Sequence, residues 1–283
     1  MRLLMFDDHR VGVAVGAGVV DVTDLVGGGI PPRERMTALI TAWGDLASEV
    51  AAAAASRRAL ERSALVVRAP QPRPSKILAA PVNYRLHQEE MGGASGVYEG
   101  TTVHDIDTYA GFVEAPSSIV GPDRAIELPF SDRRFDYEGE LGVVVGRAAS
   151  RVARSEALEH VFGYVPLLDI TMRGEEDRSF RKSFDTFTPI GPEIVTADEV
   201  GDPSALELEL RLNGEVRQQA RLSDLIHDVP RLIERYSEAI TLEPGDLIAT
   251  GTPAGVGPLA PGDEIDLRIS GVGRLRTSVV ERS

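Results

Sequence analysis

Hydrophobic and polar positions follow two periods along the chain, and the switches between them mark out the elements. Over residues 1–25 apolar positions alternate with small or polar ones between glycines, as in Val11-Gly12-Val13-Ala14-Val15-Gly16, which predicts two or three short strands. From residue 31 to 62 the period becomes helical. Met36, Leu39, Ile40, Trp43, Leu46 and Val50 recur on one face and run into the alanines of residues 51–55, which predicts one helix with an alanine tail. Arg68-Ala69-Pro70-Gln71-Pro72-Arg73-Pro74 then sets three prolines within five residues, a pattern that favours an extended connector. The chain accordingly divides into a small α+β N-terminal domain, residues 1–70, and a larger body, residues 71–283.

Strand and turn dominate that body. Val143-Val144-Val145 has the unbroken apolar character of a strand buried on both faces. Leu206, Leu208, Leu210 and Leu212 alternate with charged residues and meet Asn213-Gly214, a hairpin signal. Ile265, Leu267 and Ile269 form another alternating strand. Between them Leu225, Ile226, Val229, Leu232, Ile233 and Tyr236 make a helical stripe in which Pro230 marks a start or a kink. The predicted fold class is mostly β with some α.

Composition narrows the chemistry. The 28 Gly and 18 Pro among 283 residues agree with a turn-rich β body. The absence of cysteine excludes disulfides, thiolate metal sites and thiol catalysis. A net charge of −14, with the arginines scattered, argues against nucleic acid as a partner. No apolar run reaches the ~20 residues needed to cross a bilayer. The N-terminal Met1-Arg2-Leu3-Leu4-Met5-Phe6-Asp7-Asp8 lacks the apolar core of a signal peptide, so the expected location is the cytoplasm. There is no G-x-G-x-x-G, P-loop, G-x-S-x-G or H-E-x-x-H motif.

Candidate chemistry rests on acids. In Asp136-Tyr137-Glu138-Gly139-Glu140-Leu141, alternation places residues 136, 138 and 140 on one face of a strand entering the core. Side-by-side carboxylates there call for a hard cation such as Mg²⁺, Mn²⁺ or Ca²⁺, or else lie on a solvated edge. Asp169 closes the apolar run Val165-Pro166-Leu167-Leu168, either as a helix cap or as a functional acid at a strand end. His87 and Glu90 share a helical face at i, i+3, a spacing that suits a carboxylate-oriented imidazole and equally a solvated pair. Residues 251–257, Gly-Thr-Pro-Ala-Gly-Val-Gly, offer N–H groups and one hydroxyl to an oxyanion, or form a tight loop. His104, Asp105 and Asp107 form a polar loop or a second cation site.

The order and wording of these segments resemble a known family. Asn83-Tyr84-Arg85-Leu86-His87, Asp136 through Leu141, Phe162-Gly163-Tyr164 through Asp169, Lys182-Ser183-Phe184-Asp185-Thr186 and Pro244-Gly245-Asp246 through Gly257 are similar to motifs of the fumarylacetoacetate hydrolase superfamily. The nearest branch is that of acylpyruvate hydrolases and 2-hydroxyhepta-2,4-diene-1,7-dioate isomerases. The likeness runs from Lys76 to the C-terminus, and residues 1–70 resemble the small domain often found ahead of it. It implies a mixed β-roll, a homodimer and one Mg²⁺ or Mn²⁺ per subunit held by Glu138, Glu140 and Asp169. His87 and Glu90 would activate water, Lys182 would face substrate oxygens, and Tyr84, Arg173 and Thr252 would bind substrate.

The implied function is hydrolysis of a C–C bond in an acylpyruvate-like 2-oxo acid of aromatic catabolism. The alternatives are an oxaloacetate-type decarboxylase, a 2-hydroxymuconate-type isomerase or hydratase, or a catalytically silent relative. Three positions depart from the family pattern: Leu86 replaces a frequent acid, Gly174 a common Asp, and Glu114 a usual Lys. Residues 92–110 look longer than the usual connection of a lid. Glu114, placed in that connection, is expected to disfavour a second carboxylate on the substrate tail.

Overall fold

The computed structural model describes residues 1–92 and 103–282, so part of the long connection after residue 92 lies outside the described residues. Its centre is an eleven-stranded sheet. Two adjacent inner strands, Gly139–Val145 and Val161–Leu168, are buried along their whole length and pair antiparallel from Gly139 opposite Leu168 to Val143 opposite Tyr164. Unbroken apolar sequence is what burial on both faces demands. Leu141, Val143 and Val145 point into one core, while Val144 points into the other.

The first core layer is closed by a five-stranded sheet containing the hairpin Glu207–Leu212 and Glu215–Arg221. Asn213 and Gly214 turn that hairpin with positive φ, 52° and 84°, as the Asn-Gly signal requires. The helix of the apolar stripe spans Val229–Ser237. It is capped by the Asp228 carboxylate, which accepts from the Arg231 N–H, so Pro230 marks its start. The second core layer lies under the helices Arg35–Thr41 and Trp43–Ser56. The single helix expected over 31–62 is therefore two. The chain turns at Ala42 (φ −93°, ψ 9°), which sets the Trp43 ring edge-on against Phe162 at 5.2 Å.

The N-terminal strands Arg2–Phe6, Arg10–Val15 and Gly18–Asp21 extend the central sheet, Leu3 pairing with Ile194 of the body. The proline-rich connector, expected to be extended, bends at residues 70–72 and is packed rather than free. Pro70, Gln71, Pro72 and Pro74 are buried, and the Gln71 side-chain amide donates to the Gly245 carbonyl at 2.7 Å. Among the described residues parallel and antiparallel pairs are both present without a closed barrel, so the sheets are mixed and the fold is mostly β.

Candidate metal centre and active site

Three short strands, Phe135–Tyr137, Thr171–Met172 and Gly257–Pro258, form a small sheet beside the central one. Glu138 is the residue where the chain passes from that sheet to the central strand Gly139–Val145. It therefore stands at an open sheet end, with Glu140 two residues on and so on the same face. The antiparallel register continues past Gly139 and Leu168, and the Asp169 N–H donates to the Glu138 carbonyl at 2.9 Å. Asp169 is thus directly opposite Glu138, and cross-strand partners share a face.

Glu138, Glu140 and Asp169 are 6%, 2% and 1% exposed, and one ligating oxygen of each lies within 4.8 Å of the others. Among the described residues this is the one group of three or more ligating side chains able to hold a metal ion. Asp136, expected on the same face, is elsewhere. It belongs to the small sheet, and its carboxylate accepts from Arg134 at 2.7 Å and Arg173 at 2.6 Å.

The cluster carries more negative charge than its surroundings neutralise. The Lys182 ammonium donates to Glu138 at 2.7 Å and to Asp169 at 2.5 Å, and Arg173 donates to Glu138 at 2.9 Å. Burial alone would raise the Glu138 carboxyl, but Lys182 and then Arg173 outweigh it and pull it down to about 2. Burial pushes Asp169 up to about 6 even against Lys182. Glu140 is raised well above the usual carboxylate range by burial and then by the Asp169 charge, although the Gly251 N–H donates to it at 2.7 Å. Burial also works against the Lys182 ammonium, yet the carboxylates of Asp169 and Glu138 hold its pKa above that of an ordinary lysine.

Among the described residues Asp169 Oδ1 is buried with no N–H or hydroxyl donor on it, the Glu114 carboxyl being the acid beside Asp169. A carboxylate oxygen without such a donor, within an all-oxygen set that is short of positive charge, fits a hard divalent cation of the Mg²⁺ or Mn²⁺ type.

His87, Thr252, Arg173 and Lys182 line the same open cleft as the three acids, about 440 Å³ including its mouth. The helix Arg85–Gly92 carries His87 and Glu90, and His87 Nδ1 meets Glu90 Oε2 at 3.2 Å. The other Glu90 oxygen accepts from the Gly255 N–H at 2.9 Å, so the glycine loop holds this acid in place.

Of the expected substrate contacts, Tyr84 lies away from the cleft and Thr252 lines it with its hydroxyl engaged by the fold. Tyr84 is 3% exposed and lies outside the cleft wall; its backbone bridges to Leu225, and among the described residues its hydroxyl has no hydrogen-bond partner. Thr252 lines the cleft, but its hydroxyl donates to the Gly139 carbonyl at 3.1 Å and accepts from Gln218 at 2.8 Å. Its one proton is therefore committed to the fold. His104, Asp105 and Asp107 do not converge either. Asp105 caps the short helix Ile106–Tyr109, and Asp107 pairs with His227 at 2.9 Å.

Glu114 ends the strand Phe112–Glu114 with no exposed surface. Burial and then the charge of Asp169 raise its carboxyl well above the usual range. It sits against Asp169 outside the cleft wall, so it does not face a substrate tail. Arg178, Arg181 and Phe112 also line the cleft, although no period or motif spacing in the sequence marks them as site residues. The only trace of the arginines was the basic residues around Phe180.

Comparison with known proteins places the site in a family. Residues 76–280 match the model of the fumarylacetoacetate hydrolase C-terminal domain. A maleylpyruvate hydrolase of Aquipseudomonas alcaligenes is 38% identical over 291 residues, covering 99% of both chains. The oxaloacetate tautomerase YisK of Bacillus subtilis is 38% identical over 230 residues, 77% of this chain and 74% of its own. The crystal structure of maleylpyruvate hydrolase from Sphingobium sp. SYK-6, in complex with manganese(II) and pyruvate, superposes with a TM-score of 0.87. That protein is 37% identical, with the whole of both chains covered. With the family match spanning most of the chain and relatives alike from end to end, the protein belongs to the fumarylacetoacetate hydrolase family.

Proposed function

We propose that the protein is a divalent-metal-dependent hydrolase that cleaves a C–C bond in an acylpyruvate-like 2-oxo acid, of the maleylpyruvate or fumarylpyruvate kind. One observation carries the reading. Three buried carboxylates within 4.8 Å of one another share a cleft with the His87–Glu90 pair. Glu138, Glu140 and Asp169 hold the cation, which supplies Lewis-acid polarisation of the 2-oxo acid and charge for the enolate that leaves.

The remaining chemistry belongs to side chains. Glu90 holds the His87 imidazole through Nδ1, leaving Nε2 to take a proton from water as its oxygen adds to the acyl carbonyl. The bond between that carbon and the pyruvyl methylene then breaks. The acyl part leaves as a carboxylic acid, and the pyruvate enolate regains the proton at carbon. Lys182 spends two of its three donors on Glu138 and Asp169, and the third stabilises the developing enolate oxygen. Arg173, tied to Asp136 and Glu138, fixes the position of Glu138 and presents positive charge to the substrate carboxylate.

A second reading on the same site is enolisation of oxaloacetate, supported by the likeness to the tautomerase YisK, or a decarboxylation, supported by the likeness to the 4-hydroxyphenylacetate degradation bifunctional isomerase/decarboxylase of Salmonella dublin. The division at residues 70 and 71, the homodimer and the cytoplasmic location go with the hydrolase reading; light scattering of the purified protein measures the dimer. Among the described residues no helix is long and apolar enough to cross a membrane.

The direct test offers the Mn²⁺- or Mg²⁺-loaded protein maleylpyruvate, fumarylpyruvate, acetylpyruvate, oxaloacetate and a 2-hydroxymuconate. The expected result is pyruvate formation from an acylpyruvate, abolished by a chelator and restored by metal. No pyruvate from any acylpyruvate with either metal overturns the reading.

A further inference from the structure

We propose that Arg178 and Arg181 form an anion subsite in the cleft that receives a second carboxylate at the far end of the acyl tail. This rests on the acylpyruvate reading and deepens it, because it names the residues that would select a dicarboxylate.

The helix Arg178–Lys182 is one short element with two jobs. At its end Lys182 turns to Glu138 and Asp169, while Arg178 and Arg181, three residues apart and so on one face, line the same cleft. Arg181 is 5% exposed. Its guanidinium donates to two backbone carbonyls, of Glu176 at 2.8 Å and Met172 at 3.1 Å, and among the described residues no carboxylate lies within ion-pair distance. The nearby Glu176 carboxylate is drawn instead to Arg133 at 2.8 Å. A buried guanidinium held only by carbonyl dipoles is costly, and two of its five N–H donors satisfy neither its charge nor its hydrogen-bonding capacity.

Arg178 is the companion. Its guanidinium lies over the rings of Tyr109 at 4.7 Å and Phe112 at 5.5 Å. Aromatic faces orient the planar group without neutralising it. The other cleft cations, Arg173 and Lys182, are already engaged with Asp136, Glu138 and Asp169. Arg178 and Arg181 are therefore positive charges in the cleft that no carboxylate of the described residues meets in an ion pair, Glu176 acting on Arg181 only from beyond that distance, on a protein of net charge −14. Two adjacent forked donors match the geometry of a carboxylate. A substrate whose 2-oxo acid end sits at the carboxylate cluster would extend its tail along this helix, which reverses the expectation drawn from Glu114.

The test compares kcat/KM for fumarylpyruvate and for acetylpyruvate, which lacks the second carboxylate, in the Mn²⁺-loaded parent, Arg178→Gln and Arg181→Lys. Arg181→Lys keeps the charge and removes the fork, and Arg178→Gln is the variant least exposed to a folding defect. The expected result is at least a tenfold fall in the fumarylpyruvate-to-acetylpyruvate ratio, expressed in KM more than in kcat. A ratio unchanged in both variants, or kcat falling equally on both substrates, overturns the subsite.

Calorimetric titration of fumarate and crotonate into the same Mn²⁺-loaded proteins separates the two readings. If the parent turned over no acylpyruvate, the hydrolase reading would fall. The subsite would then stand on a fumarate preference in the parent that the variants lose, and would fall if no such preference exists.

Discussion

His87 separates the two chemistries that the carboxylate cluster supports. It is 4% exposed, and Glu90, its partner at 3.2 Å, is itself held by the Gly255 N–H. Burial works to raise the Glu90 carboxyl, but the hydrogen bonds from His87 and from the Gly255 backbone outweigh it and keep the acid ionised, as an acceptor should be. Hydrolysis needs a water relieved of its proton at the acyl carbonyl, whereas decarboxylation of oxaloacetate needs only a sink for the electrons of the departing CO₂. His87→Ala is expected to lower acylpyruvate cleavage by about 10²–10⁴-fold, the usual contribution of a general base. Glu90→Gln should act in the same direction, while any oxaloacetate decarboxylation falls much less. Both rates are measured on one metal-loaded preparation, so that lost metal is not taken for a lost base. Acylpyruvate cleavage within a few-fold of the parent in His87→Ala would remove the dyad from the mechanism.

The cluster depends on how elements end. Strand Leu247–Ala249 runs beside Gly139–Val145, and just beyond it Gly251 adopts φ +95°. That turn aims its N–H at Glu140 Oε2, 2.7 Å away, and brings the backbone against Asn83, whose amide donates to the Thr250 carbonyl at 2.8 Å. A methyl at residue 251 would stand 2.7 Å from the Asn83 Cβ, in a conformation that L side chains rarely adopt. Gly251→Ala is therefore expected to cost about 1–3 kcal/mol and to loosen Glu140. Thermal unfolding and Mn²⁺ titration should register a lower melting temperature and a weaker site. A variant with both values unchanged would show that this turn does not position Glu140.

At the scale of the whole molecule, the acids form a seam between the two strands that run through both cores, so metal occupancy and folding are linked. A ligand at a hundred times its dissociation constant stabilises by about 2.7 kcal/mol, which for a chain of this size amounts to roughly 4–5 °C in Tm. Chelation should lower Tm by that order. Glu138→Gln keeps the shape, removes a ligand charge and leaves Lys182 and Arg173 underpaired, so it should shrink the Tm gain on adding Mn²⁺. A gain equal to the parent's would take Glu138 out of the ligand set. Sequence alone determined the mostly β class, the Asn213-Gly214 hairpin, the His87–Glu90 pair and the one-face relation of Glu138 and Glu140, because each is a matter of local period or turn chemistry. The resemblance in its motifs supplied Asp169, which spacing left undecided between a cap and a functional acid. Tertiary structure decided what depends on packing across sequence distance. The register of the two central strands set Asp169 opposite Glu138, and the start of a second sheet drew Asp136 away to Arg134 and Arg173. The same packing buried Glu114 outside the cleft wall and left Arg178 and Arg181 lining the cleft. Whether a buried charge is neutralised is settled by the residues that the fold brings around it, and no period along the chain encodes that.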